Sequence, residues 1–221
     1  MPVIVGIDEV GRGCWAGPLV AAAVALTEAS RLRLEVEPIG LRDSKKLSRK
    51  QREHLDGLIR SQVKTIGVGW VRPGEIDMLG LTTSVQLAML RAMKNLLGVC
   101  RDYDAIIIDG NYNFLTRDGV DMSKLTDWED LKNLVFHNVQ TMVRADDIVP
   151  AASAASIIAK VTRDKYMREI AVKYPGYGFE SHVGYGTAKH IAALKKFGTT
   201  NLHRKSYQPM QKFLKIYYRT M

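Results

Sequence analysis

Acidic residues stand at three places where apolar runs of this chain stop. Asp8 and Glu9 follow "VIVGI", Asp109 follows "AIII", and Asp146 with Asp147 follows "TMVRA". In an open α/β sheet, strand ends that meet at one edge are where reactive groups gather. Four carboxylates brought together repel one another and hold their protons unless a cation neutralises them. Oxygen-only ligands suit Mg²⁺ or Mn²⁺, and two such ions about 3.5–4 Å apart assist an in-line phosphodiester displacement. One ion activates the attacking water and the other steadies the leaving oxygen. The plainer reading of each Asp alone is a loop opener or helix cap. Asp8 and Glu9 differ in continuing directly from an apolar run. Neighbouring strand residues face opposite ways, so both reach one site if the chain bends there, and Gly11 and Gly13 allow a bend.

The elements that must position these acids follow from apolar patterning. Residues 1–7, 18–26, 63–71, 105–110 and 139–144 read as strands, and several of them are apolar on both faces. Ser48 opens a helix with Leu55, Leu58 and Ile59 on one side, residues 82–97 form a second amphipathic helix, and 151–174 form a long one with an Ala/Ser-rich start. Residues 111–134 read as a long polar loop with a short helix. Two further helices, 187–197 and 208–219, finish the chain. Buried strands separated by helices imply an α/β layer fold, a sheet covered on both faces.

Composition narrows the setting. The chain has 221 residues, 46% of them hydrophobic, which is enough for one sizeable core. No apolar run approaches the ~20 residues of a membrane span. Cys14 and Cys100 have no metal-ligand spacing, and the expectation is a cytoplasmic protein without disulfides. The formal charge is +9, and eight basic residues with no acid follow Glu180, so the last fifth of the chain holds nearly all of the excess. Such a tail suits a polyanion, whose counterions are released on binding. The alternative is a solvated helix face.

The words "GIDEVGRG", "AGP", "DSKKLS", "EID", "IIIDGN", "SAASIIAKVTRD", "YPGYGF" and "GYGT" occur in the order found in type 2 ribonucleases H. From residue 6 to about 210 the chain resembles ribonuclease HII. The resemblance implies a ribonuclease H-like fold, a mixed central sheet flanked by helices, with a catalytic domain over 1–180 and a basic C-terminal helical extension over 181–221. It implies an endoribonuclease that cuts the RNA strand of RNA/DNA hybrids. It also implies cleavage of duplex DNA on the 5′ side of an embedded ribonucleotide, leaving 5′-phosphate and 3′-OH, with two divalent ions, Mg²⁺ or Mn²⁺.

Carried over by motif, Asp8, Glu9 and Asp109 are three of four metal-holding catalytic acids. Asp146 is the fourth, with Ala145 in place of the usual glycine and Asp147 as the competing choice. Gly11, Arg12 and Gly13 match the reader of the ribose–deoxyribose junction, and the 2′-OH is what marks RNA; outside these motifs they make an ordinary turn. Tyr185 matches a tyrosine that stacks on the adjacent deoxyribose, against the reading of a ring packed under a loop. Lys45 and Lys46 match phosphate-contacting lysines, against solvated side chains. Ser153 and Ser156 are assigned to capping or packing, and His182 and His203 match positions near the substrate groove.

Three departures stand out. Cys14 and Trp15 replace a proline and a smaller apolar residue, and Val183 replaces a common lysine. Near the C-terminus, Gln211, Leu214, Tyr217 and Tyr218 have the spacing of a sliding-clamp peptide. Phe213, Leu214 and Tyr217 equally form the apolar stripe of a docked helix, which is the preferred reading. A monomer is expected. Rival functions are a non-catalytic nucleic-acid-binding module, a small-molecule phosphohydrolase and a type 3 ribonuclease H, the last disfavoured by the short N-terminus.

Overall fold

The computed structural model describes residues 2–35, 47–63, 65–115 and 125–217. Lys45, Lys46 and Tyr218 lie outside them. In chain order the elements are β1 (Val3–Val10), β2 (Leu19–Thr27), α1 (Glu28–Glu35), α2 (Arg49–Gln62), β3 (Ile66–Val71), α3 (Pro73–Leu79), α4 (Leu81–Leu97) and β4 (Ala105–Asp109). They continue with α5 (Trp128–Leu131), β5 (Val139–Met142), α6 (Ala145–Ile148), α7 (Pro150–Ala171), α8 (Phe179–His182), α9 (Ala188–Phe197) and α10 (Gln208–Tyr217).

The strands form one mixed sheet in the order β3-β2-β1-β4-β5. β1 pairs antiparallel with β2 and parallel with β4, while β3 is antiparallel to β2 and β5 parallel to β4. Alternation along β1 and β2 splits the core in two. Val5, Ile7, Ala21 and Ala23 pack with α4 residues such as Leu87 and Met93 on one face. Ala22, Val24 and Leu26 pack with Ala154, Ile157 and Ile158 of α7 on the other. Both faces are therefore covered, as the apolar strands required.

The small residues that open α7 set how closely it lies on the sheet. Ala151, Ala152, Ala154 and Ala155 are all buried, and the α7 backbone rests on Gly6 of β1. A Cβ at Gly6 would lie 2.1 Å from the Ala151 carbonyl carbon. This contact fixes the depth of every side chain that α7 presents toward β1.

Several boundaries differ from those the sequence suggested. β1 runs on through Val10, because Asp8, Glu9 and Val10 stay paired with Ala22, Ala21 and Val20. β3 begins at Ile66 because Val63 closes α2, its N–H donating to Ile59 O at 2.8 Å. β5 ends before Arg144, whose φ of 62° leaves the strand conformation. The helices α1 and α3 were not anticipated. α1 is opened by Thr27 and Ser30, each backbone N–H donating to the other's hydroxyl at 2.9 and 3.2 Å. α3 is opened by Pro73 at its first turn and by Glu75, which accepts the Arg72 N–H at 2.7 Å. The anticipated start of α2 is a capping box between Ser48 and Gln51.

The C-terminal helices are joined to the sheet by more than contact. A β-bridge links Ala16 to His203, and Ala16 shares a cluster with Met167, Phe179, Ala193 and Leu202. The expected division at residue 180 falls inside α8. Among the described residues no helix is long and apolar enough to cross a membrane.

Candidate active site

Parallel pairing of β1 with β4 puts Ile7 opposite Ile108, so Asp8 and Asp109 leave the same edge of the sheet side by side. Asp109 accepts the Ala145 N–H through Oδ1 at 2.7 Å and thereby ties the end of β4 to α6. That bond needs only a backbone N–H, so Ala145 serves at a position where the resemblance implies glycine. The next residue, Asp146, is buried. Its carbonyl accepts the Ser153 hydroxyl at 2.6 Å, which anchors α6 to α7. One carboxylate oxygen from each of Asp8, Asp109 and Asp146 lies within 4.8 Å of the others. Asp147 instead pairs with Arg144 at 2.7 Å.

Glu9 starts from the opposite face of β1 and is not in that group of three. It nevertheless lines the same cavity, of about 300 Å³, as Asp8 and Asp109. No bend in β1 achieves this; the cavity opens at the end of the strand, where both faces are within reach. Glu9 accepts a hydrogen bond from Arg12 Nη1 at 3.1 Å.

Burial, the Glu9 charge and the Asp109 charge together push the Asp8 carboxyl well above the ordinary carboxylate range. Hydrogen bonds from Ser156 and from the Glu9 N–H, the latter at 2.7 Å, act the other way without overcoming it. The donor set fits a hard divalent cation: all ligand atoms are carboxylate oxygens, and the opposite oxygens around one Mg²⁺ are about 4 Å apart. A cation placed there would offset the burial and repulsion that raise the Asp8 carboxyl.

Gly11, Arg12 and Gly13 form one wall of the cavity and Tyr185 another. Gly11 has a φ of 95°, and a Cβ there would meet Arg163 Nε at 2.5 Å, so the turn requires glycine. Gly13 has open space around its Cα. Burial raises the Tyr185 hydroxyl to about 12, so the ring carries no charge near neutral pH. Lys160 Nζ lies 5.8 Å from its centroid.

Two buried arginines hold these walls, and the sequence reading assigned neither a structural role. Arg163 donates to the carbonyls of Pro18, Ala16 and Val183 at 2.8, 3.1 and 2.9 Å. Arg204 donates to Gly17 O at 3.0 Å and to Arg12 O at 3.1 Å, and the Tyr207 hydroxyl donates to Arg12 O at 2.6 Å. Arg204 was counted above in the basic tail, but it is wholly buried and its charge faces carbonyls instead of a polyanion. Ser156 and Lys160, which also line the cavity, were missed as site residues. Their spacing with Asp164 at i, i+4 and i+8 on one helix face was the available signal, and Lys160 pairs with Asp164 at 3.1 Å. His182 and His203 are buried in the packing beneath Tyr185 and do not line the cavity.

Known proteins share this sequence pattern and fold. The sequence pattern of the family described as ribonuclease HII matches residues 5–210. A ribonuclease HII of Prochlorococcus marinus is 39% identical over 203 residues, which cover 91% of this chain and 94% of that one. The crystal structure of ribonuclease H2 from Pyrococcus horikoshii superposes with a TM-score of 0.72 at 27% identity, covering 98% of this chain and 99% of the other. A ribonuclease HII of Archaeoglobus fulgidus, solved in complex with PCNA, gives 0.68 at 27% identity over 93% of this chain and 95% of that one. A family pattern spanning nearly the whole chain, laid over a mixed sheet whose edge gathers three aspartates, makes this protein a member of the ribonuclease HII family, metal-dependent hydrolases that act on RNA in RNA/DNA hybrids.

Proposed function

We propose that the cavity binds two divalent ions, Mg²⁺ or Mn²⁺, and cuts on the 5′ side of a ribonucleotide, in hybrids and in duplex DNA carrying a single one. The observation that carries this reading is the meeting of Asp8, Asp109 and Asp146 beside Gly11–Gly13 and Tyr185. Asp8, Glu9, Asp109 and Asp146 are the acids we assign to the ions and to catalysis. When bound, the ions supply activation of water and neutralisation of charge at the scissile phosphate.

The chain's own residues do the rest. Ser156 orients the Asp8 carboxyl through its side-chain hydrogen bond. The bare backbone at Gly11 and Gly13 lets amide groups approach a sugar closely enough to sense its 2′-OH. Arg12 and Lys160 bring positive charge to the phosphates, and we assign the same task to Lys45 and Lys46. Tyr185, uncharged and facing the cavity, offers a flat surface to the neighbouring deoxyribose.

The test is a duplex bearing one ribonucleotide, incubated with Mg²⁺ or Mn²⁺ and mapped at nucleotide resolution. The expected product ends in 3′-OH immediately 5′ of the ribonucleotide, and Asp8→Asn and Asp109→Asn bind the duplex without cutting it. Full turnover by both variants refutes the assignment.

We read α10 as a helix docked on the domain. Met210 is buried, and Gln211 Nε2 donates to Lys205 O at 2.6 Å, which engages the residue that a clamp peptide would present. A clamp pull-down that is lost on replacing Tyr217 and Tyr218 would reverse this. We also read the protein as a cytoplasmic monomer.

A further inference from the structure

Three buried histidines lie beneath the turn that carries Tyr185, and their hydrogen bonds leave a single consistent assignment of protons. The Thr200 N–H can only donate, and it donates to His203 Nδ1 at 2.8 Å. The His203 proton therefore sits on Nε2, which faces His190 Nε2 at 3.1 Å. His190 must accept there, so its own proton is on Nδ1, 2.9 Å from the carbonyl oxygen of Tyr185. His182 stacks on His190 with centroids 4.6 Å apart, accepts the Gly184 N–H at 3.2 Å and meets Tyr177 O at 2.8 Å. All six ring nitrogens are thus engaged, and no lone pair remains for a metal ion.

From this geometry we infer that His190, oriented by His203, is a positioning residue that fixes the Tyr185 turn against the cavity. The inference rests on the role of Tyr185 proposed above. Burying polar rings among Phe179, Tyr177 and Trp15 is costly unless every nitrogen finds a partner. An apolar side chain would fill the same space at lower cost, yet here the chain of donors ends on the backbone of a cavity residue. The turn is braced elsewhere too. The Tyr185 N–H donates to His182 O at 2.9 Å, and a Cβ at Gly186 would strike the Trp15 ring at 2.2 Å. His190 therefore adds a side-chain brace to the Tyr185 carbonyl, which the Thr187 N–H also reaches at 2.9 Å.

The test is a double-mutant cycle on duplex DNA with one ribonucleotide. His190→Phe lowers kcat/KM about tenfold, the scale of one buried hydrogen bond. Added to Tyr185→Ala, it changes kcat/KM by less than about twofold, because its effect passes through the lost side chain. Multiplying effects overturn the inference. If Tyr185→Ala alone is silent, the reading of Tyr185 has failed, and amide exchange decides the positioning claim separately. His190→Phe then accelerates exchange at Tyr185 and Thr187, and unchanged exchange overturns it. Should His190→Phe not fold, His203→Gln retains activity because its amide still donates to His190, whereas His203→Leu loses it. Ring ¹⁵N resonances of the wild-type protein showing His190 protonated at Nε2 also overturn it.

Discussion

Replacing Gly6 with alanine tests how the fold sets the site. The new methyl carbon would sit 2.1 Å from Ala151 C, 2.2 Å from Ala152 N and 2.3 Å from Ala151 O, whereas ordinary contact begins at 3.4 Å. These are backbone atoms at the start of a helix of 22 residues, so no side chain can swing aside. α7 must lift from β1 by about 1 Å or more, at a cost of about 3 kcal/mol, the upper end of overpacking penalties. At this chain length 1 kcal/mol moves Tm by about 2–4 °C, so the variant melts about 6–12 °C lower. Ser156 and Lys160 move with the helix, and a displacement of about 1 Å at a reacting centre costs about a hundredfold in rate. Calorimetry gives the first number, and hybrid cleavage well below both melting temperatures gives the second. Gly13→Ala is the control: with nothing within 4 Å of its Cβ, it keeps its Tm and loses only activity. A Gly6→Ala protein that melts within 2 °C of wild type and cuts at full rate would refute the reasoning.

Acid stability should report the buried histidines. Burial lowers His190 and His203 from 6.5 to about 4, so between these limits the unfolded chain binds more protons than the folded one. Their stabilisation is complete above pH 6.5 and is lost as the pH falls toward 4, by at most about 3 kcal/mol per ring. Asp8, displaced upward, gives a slope of opposite sign. The histidine part is therefore the difference between wild type and His190→Phe in urea melts across this range, and identical slopes would contradict it. Val183 is β-branched yet has a φ of 45°, a conformation that costs about 1–3 kcal/mol. Val183→Asn should raise Tm by about 2–4 °C, because asparagine tolerates that conformation. An unchanged or lower Tm would mean the strain is not there.

The strands, the three acid positions and the two covered faces were legible because each rests on local pattern: apolar runs, their abrupt stops and the small residues of α7. Ser48 announced α2 by its capping box. The short helices α1 and α3 left weaker marks, a Thr27–Ser30 pair and a Pro73 that equally suits a turn. Motif spacing pointed to Asp146 with Asp147 as its competitor, and the folded chain brings Asp146 to Asp8 and Asp109 while Asp147 pairs with Arg144. Arg163 and Arg204 were the least readable. In sequence an arginine near the C-terminus looks like surface charge, and only the folded chain shows carbonyls from residues nearly two hundred positions away converging on it. His182 and His203 were named for the groove, but their packing role and His190 were hidden for the same reason, since the three rings meet only through the loops that flank α8 and α9.

The central claim is that separate acids make one cation site at the sheet edge. Crystals grown without metal, soaked in Mn²⁺ and measured at the manganese absorption edge test it directly. The account predicts anomalous peaks bonded to Asp8, Asp109 and Asp146, with Glu9 completing the set, and their disappearance in Asp109→Asn. Manganese bound elsewhere in crystals of an enzyme that still cleaves hybrids, or peaks that survive the substitution, would contradict it.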